Sequence, residues 1–175
     1  VASSGAACAA DAAEDLVASG GAARSAEEVL ALRLCALTGE FYRANAESFS
    51  QTRQSSWQGW VRLLEVMSLA GEKKPLCVLD LACGNLRFER YLAGALPNRM
   101  LSGYAVDNCD PLVEAGERNE SDALSRMSFQ NLDAIERLSA GCLREALEAP
   151  DASCDLAVSF GFMHHVPLER CLLYT

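Results

Sequence analysis

No stretch of this chain reaches the roughly 18 consecutive apolar residues of a membrane-spanning helix, so no span is expected. Histidine is scarce, with two in 175 residues, and no pair of cysteines has the C-x-x-C spacing of a zinc or redox site. There is also no acidic cluster at ligand spacing, so no metal site is expected. Positive charge is in deficit. The 15 Lys and Arg against 24 Asp and Glu leave a net charge of −9, which repels phosphate backbones and anionic membranes except at a local basic patch. The Ala-rich start lacks the positively charged opening and continuous apolar run of a signal peptide. No internal repeat is visible.

What is present suffices for a folded domain. The length is that of one domain, and 50% hydrophobic with 22% charged residues can bury a sizeable core. Of the eight cysteines, Cys77, Cys83 and Cys154 sit in or beside apolar strand-like runs and Cys35 lies in a helical pattern. They read as small buried apolar residues in a reducing cytoplasm, rather than as disulfides.

Residues 1–25 are rich in Ala, Gly and Ser and predict a flexible tail. The helical segment 26–74 follows. Val29, Leu30, Leu32, Leu34 and Leu37 predict a helix capped by Ser25 with Glu28, continued by the aromatics Phe41, Tyr42 and Phe49. A second helix, about 57–70, carries Trp60, Val61, Leu64 and Met67 or Ser68 on one face, and Gly71 stops it.

From residue 75 to 175 the pattern becomes strand–helix alternation. Leu76–Leu81, Met100–Val106, Met127–Leu132 and Asp155–Phe162 read as strands. Helices fill 86–95, 110–118 and about 134–147, and another is expected from Pro167. Short connections and this order predict an α/β fold: a Rossmann-like open parallel sheet, truncated after the fourth strand, with an N-terminal helical segment.

In such sheets ligands bind beyond the carboxyl ends of the strands. Asp80 lies within the first strand, and Asp107 and Asp133 close the second and third. The turn through Gly84 uses small residues, which let main chain approach a ligand. One carboxylate at a strand end suggests a helix cap. Three at successive strand ends suggest a nucleoside, with Asp107 on ribose hydroxyls and Asp133 on an adenine amine.

The segment VLDLACGN (78–85) resembles the first motif, D-x-G-x-G-x-G, of class I S-adenosylmethionine-dependent methyltransferases. Ala82 and Leu86 stand where the first and last glycines usually fall, and the latter implies a more open turn. YAVDNC (104–109), FQNLDAIE (129–136) and CDLAVSFGFMHHVP (154–167) resemble the family's ribose motif, adenine motif and fourth strand with its following loop. The G-x-G-x-x-G spacing of NAD-binding domains is absent. FYRANAESFSQTRQSSWQGW (41–60) further resembles the stretch before the first motif in the tRNA wobble-uridine carboxymethyl methyltransferases and their relatives, with Ser56 in place of the usual Pro.

The resemblance implies S-adenosyl-L-methionine as cofactor. Its binding set would be Tyr42, Arg53, Trp57, Asp80, Ala82, Cys83, Gly84, Asn85, Asp107, Asn108, Asp133, Ala134, Ser159 and Phe160. Arg53 suits the methionine carboxylate because its fork gives bidentate bonds; as a plain surface arginine it would face solvent. Trp60 reads as core. His164 and His165 are the catalytic candidates, by cofactor or acceptor contact or as a base, against a purely conformational role at the turn. Nothing near Cys83 in sequence would activate its thiol as a nucleophile.

The implied activity is methyl transfer to an unassigned acceptor, either a small molecule or a tRNA carboxymethyl-uridine. A carboxylate acceptor needs no strong base. The acidic charge favours the small molecule, although basic residues do concentrate between Arg43 and Arg99. The alternative is a non-catalytic cofactor-binding or interaction module, with homo-oligomer pairing through an uncovered sheet edge.

Overall fold

The computed structural model describes residues 25–67, 74–117 and 124–166. By compactness the chain divides between Leu32 and Arg33, within the first helix. The described part of the first unit is the start of that helix. The second unit holds the rest of that helix, the sheet and the cavity residues described below.

Helix α1 (Ala26–Thr52) and helix α2 (Gln58–Val66) precede the sheet. Strand β1 (Leu76–Leu81), helix α3 (Arg87–Ala95), strand β2 (Leu101–Asp107), helix α4 (Asp110–Glu117) and strand β3 (Met127–Asn131) then alternate. Helices α5 (Ala134–Ser139) and α6 (Leu143–Ala146), strand β4 (Leu156–Val158) and a 3-10 turn (Met163–His165) complete the order. The four strands form a parallel sheet in the order β3-β2-β1-β4. This is the expected Rossmann-like α/β arrangement. The strand order reverses between β1 and β4, which places the ligand-binding crevice of such sheets at the carboxyl end of β1.

Burial explains the central strands. Leu76 and Val78 of β1 and Ala105 and Val106 of β2 are almost wholly inaccessible, as strands covered on both faces require. One core cluster joins Trp60 and Leu64, one turn apart on α2, to Leu76, Val78, Phe88, Leu92 and Leu156. A second joins Cys83, Leu86, Ala105 and Val113. A third holds Ala46 of α1 against Cys109 and Leu112.

Helix α1 runs through Phe41, Tyr42 and Phe49 to Thr52, as expected; Leu34, Leu37 and Phe41 on it are exposed, and its buried contacts come from Ala46 and Ser50 further along. Three expectations need correction. On α2 the buried residues are Trp60 and Leu64, whereas Val61 is 52% exposed. The helix expected over 134–147 is two helices. Gly141, at φ 72°, closes α5, with its own amide bonded to Leu138 O and the Cys142 amide to Arg137 O. The fourth strand spans three residues rather than 155–162. Val158 pairs with Asp80, but beyond it the β1 chain turns away, and the Ala82 and Cys83 amides bond to Val106 O of β2. Among the described residues β4 has no partner beyond Val158, and Gly161 turns the chain at φ 70°.

The expected tail, the end of the second helix with its Gly71 stop, and the helix from Pro167 lie outside the described residues. The six cysteines within them are free thiols. No described helix is long and apolar enough to cross a membrane, and no described group of His, Cys, Asp and Glu is placed to hold a metal ion.

Candidate functional site

The chain leaves β1 through three left-handed residues: Ala82 (φ 67°), Gly84 (φ 56°) and Leu86 (φ 57°). Only the middle one is glycine. Each L-residue there carries a steric cost of about 1–2 kcal/mol. Leu86 recovers it by burial beside Ala105 and Val113, at 5% exposure. Ala82 has no such compensation. Ala82→Gly is therefore expected to raise stability by about 1 kcal/mol, whereas Leu86→Gly relieves the same strain but lowers stability by about 2–4 kcal/mol through lost packing. Urea unfolding of the two variants checks the opposite signs.

This turn is fastened to β2 by Asp107. Its Oδ2 accepts from the Gly84 amide at 2.8 Å and its Oδ1 from the Cys109 amide at 2.9 Å. Burial nonetheless leaves its carboxyl above the ordinary range, the amide bonds offsetting part of that rise. Asp133 caps α5 by accepting from the Glu136 amide at 2.9 Å, and its other oxygen accepts from Asn108 Nδ2 at 2.8 Å. Asp133 thus performs the helix-capping role weighed for it, and each carboxylate keeps free lone pairs.

These groups surround a cavity of about 390 Å³, within the span of about 300–1,000 Å³ common for small-molecule sites. It brings together Tyr42, Arg53, Trp57, Asp80, Ala82, Cys83, Gly84, Asn85, Asp107, Asn108, Asp133, Ala134, Phe160, His164 and His165. Ser159 alone of the expected set does not line it; its hydroxyl is buried without a partner. Asn85 is chiefly a tie, its amide donating to Ser50 Oγ at 3.0 Å and Arg53 O at 3.4 Å, which fastens the end of α1 to the turn.

Sequence reasoning missed Arg87, Phe88, Phe49, Cys35 and Leu112, which also face the cavity. Arg87 stands at the start of the helix after the Gly84 turn, the usual site for an anion-facing side chain, and that position was the available signal. The other four carry no polar signature that separates them from core. Trp60 is core as expected, at 2% exposure, and also forms cavity wall. Trp57, 43% exposed, stacks on it with centroids 5.6 Å apart. The Arg87 guanidinium lies over both rings, at 5.1 and 5.2 Å, and that of Arg53 over Phe49 at 3.7 Å. Neither arginine has a carboxylate partner among the described residues. Burial, then repulsion from Arg53 and Arg90, pulls the Arg87 pKa down.

His165 meets Tyr42: its Nε2 lies 3.4 Å from the phenol oxygen, and the rings meet edge to face. The Cys35 thiol donates to His165 O at 3.5 Å. Burial, then the neighbouring His164, lowers the His165 pKa, so its imidazole is neutral at neutral pH. Cys83 is buried and its thiol is pushed well up by burial and by Glu89, Asp107 and Asp80, which leaves it inert as a nucleophile.

No protein-family model matches the sequence, and no curated protein matches it. Among solved structures, the chain is similar to an S-adenosylmethionine-dependent methyltransferase from Anabaena variabilis, with a TM-score of 0.45 and 15% identity over 78% of this chain. The match takes in 54% of that protein's chain, so the present sequence spans about half its length.

Proposed function

We propose that the chain is an S-adenosylmethionine-dependent methyltransferase acting on a small anionic acceptor. The observation that carries this reading is the bond from Asp107 to the Gly84 amide at the cavity wall, which joins a small-residue turn to a carboxylate at the next strand end. The residues present fit the cofactor. Asp107 retains lone pairs for two ribose hydroxyls, Asp133 and Asn108 face an adenine position, and the unneutralised Arg53 suits the methionine carboxylate.

The bound sulfonium supplies an electrophilic methyl group. The protein's part is to align the acceptor and exclude water. Phe160, Trp57, Trp60 and Phe88 form an apolar wall, and Arg87 stands over the two indoles as a second cation. A carboxylate held by Arg87 needs no base. An acceptor hydroxyl or amine would lose its proton to the neutral His165, which Tyr42 orients. The net charge of −9 favours a small acceptor over tRNA.

Titration calorimetry with S-adenosylmethionine tests the cofactor, and the expected result is micromolar binding. No heat at millimolar ligand overturns the reading. Transfer of labelled methyl groups to a carboxylate metabolite pool, and none to bulk tRNA, is expected for the acceptor. Labelled tRNA would overturn the small-molecule assignment, and binding without any turnover would overturn the enzymatic one.

A further inference from the structure

At and behind the cavity wall lie two carboxyls, Asp80 and Glu89, that the proposed methyl transfer leaves unused. Asp80 lies within β1, one residue before its end, and Glu89 sits in the first turn of α3; each is 2% exposed. Asp80 Oδ1 and both oxygens of Glu89 find no donor among their neighbours, and the two carboxyls meet each other side chain to side chain. Asp80 lines the cavity, whereas Glu89 does not. The charged groups facing Asp80 are Glu89 and Asp107, and the cation acting on Glu89 is Arg90. Burial first, and then all three acids, push the nearby Cys83 thiol well up.

Two buried carboxyls side by side do not both ionise, because desolvation and mutual repulsion oppose the second charge. Burial raises both, and Asp80 lies well above the ordinary carboxylate range. A proton shared by such a pair is one that a positive charge in the cavity would expel.

We propose that Asp80 and Glu89 form a proton-sharing pair that reads the charge on sulfur, releasing a proton when a sulfonium fills the cavity and keeping it when the neutral thioether product is there. This rests on the cofactor reading above. The balance is simple: one carboxylic acid and one carboxylate become two carboxylates, and the proton passes to solvent. After methyl transfer the sulfur is neutral and the pair takes a proton back. Glu89 is a positioning residue here, acting through Asp80. The sulfonium binds more tightly as pH rises above the ordinary carboxylate range, while the thioether does not, so the pair favours discharge of product.

The test is calorimetry of the full chain with S-adenosylmethionine and with S-adenosylhomocysteine, in paired buffers of different ionisation heat, from about pH 5.5 to about pH 7.5, below the range where a ligand α-amine titrates. Release on the order of one proton is expected with the sulfonium and close to none with the thioether. Their affinity ratio is expected to change by up to about tenfold per pH unit. Glu89→Gln should move the pH dependence of the ratio to lower pH and reduce the difference in proton count, because it removes the second carboxyl but not the burial that raises Asp80. Equal proton counts and parallel pH profiles for the two ligands in the unaltered protein overturn the inference while leaving the cofactor reading intact. Failure of both ligands to bind overturns the two together. The wild-type measurement decides the matter even where the Gln variant does not fold.

Discussion

Gly103→Ala is expected to abolish cooperative folding. Gly103 lies in β2, paired with Val78 of β1 on one side and Met127 of β3 on the other. Its φ of 154° is one that L-residues rarely adopt, and an added Cβ would sit 1.9 Å from the Val78 carbonyl oxygen. The obstruction is backbone in the middle of a sheet, so no rotamer change relieves it. The strands would have to part, at a cost on the order of 4–5 kcal/mol or more. Set against a total stability of roughly 5–15 kcal/mol, that loss removes most of the native population. Because β1 delivers Asp80 and β2 delivers Asp107, the cavity goes with it. The internal control is Gly94→Ala in α3, where an added Cβ meets nothing within 4 Å; it should be neutral or stabilising by up to about 1 kcal/mol. Circular dichroism melts distinguish the two. A Gly103→Ala protein melting within a few degrees of the parent would show that the sheet tolerates separation at this point.

The importance of Gly103 was not visible beforehand, because a glycine in LSGYAVD reads as a weak strand position, and its close approach to β1 exists only once β1 is its neighbour. The alternation of strands and helices was legible, because two-sided burial makes LCVLDL and LSGYAVD short apolar runs bounded by turn residues. The length of β4 was not. The run DLAVSFGF is apolar enough for eight residues of strand, but a strand ends where its partner leaves, and β1 turns toward β2 at Ala82. The apolar pattern of α1 predicted a helix but not which face is buried. Periodicity reports the repeat, whereas the face that meets the core depends on where the third cluster lies.

The candidate site was legible where chemistry sits at strand ends. Asp80, Gly84, Asp107 and Asp133 converge on one cavity because successive parallel strands present their carboxyl ends on the same side. Ser159 failed for the reason that shortened β4: once the chain bends, alternation no longer tells which way a residue faces. Glu89 escaped notice because a glutamate early in a helix ordinarily favours its N-terminus from the surface. Nothing in the local sequence announces that Phe88 and Leu92 carry it inward with them.

Asp107→Ala is expected to cost more than any other single change in the cavity, because it removes two functions at once. The Gly84 and Cys109 amides lose the acceptor that fixes the turn, and each donor left unsatisfied costs about 1–3 kcal/mol. Stability should fall by about 2–5 kcal/mol. On the proposed reading the ribose also loses two charge-assisted bonds, so affinity for S-adenosylmethionine should fall on the order of 100- to 1,000-fold. Asp107→Asn separates the two effects. It preserves shape, but one oxygen becomes an NH2 group that must face either the Gly84 or the Cys109 amide, donor against donor. Its stability should lie between those of the parent and the Ala variant, and its loss of affinity should exceed what that stability loss predicts. Thermal melts with and without ligand measure both quantities on the same samples. If the Asn variant binds the cofactor as tightly as the parent, Asp107 serves only to hold the turn, and the cavity recognises its nucleoside through other groups.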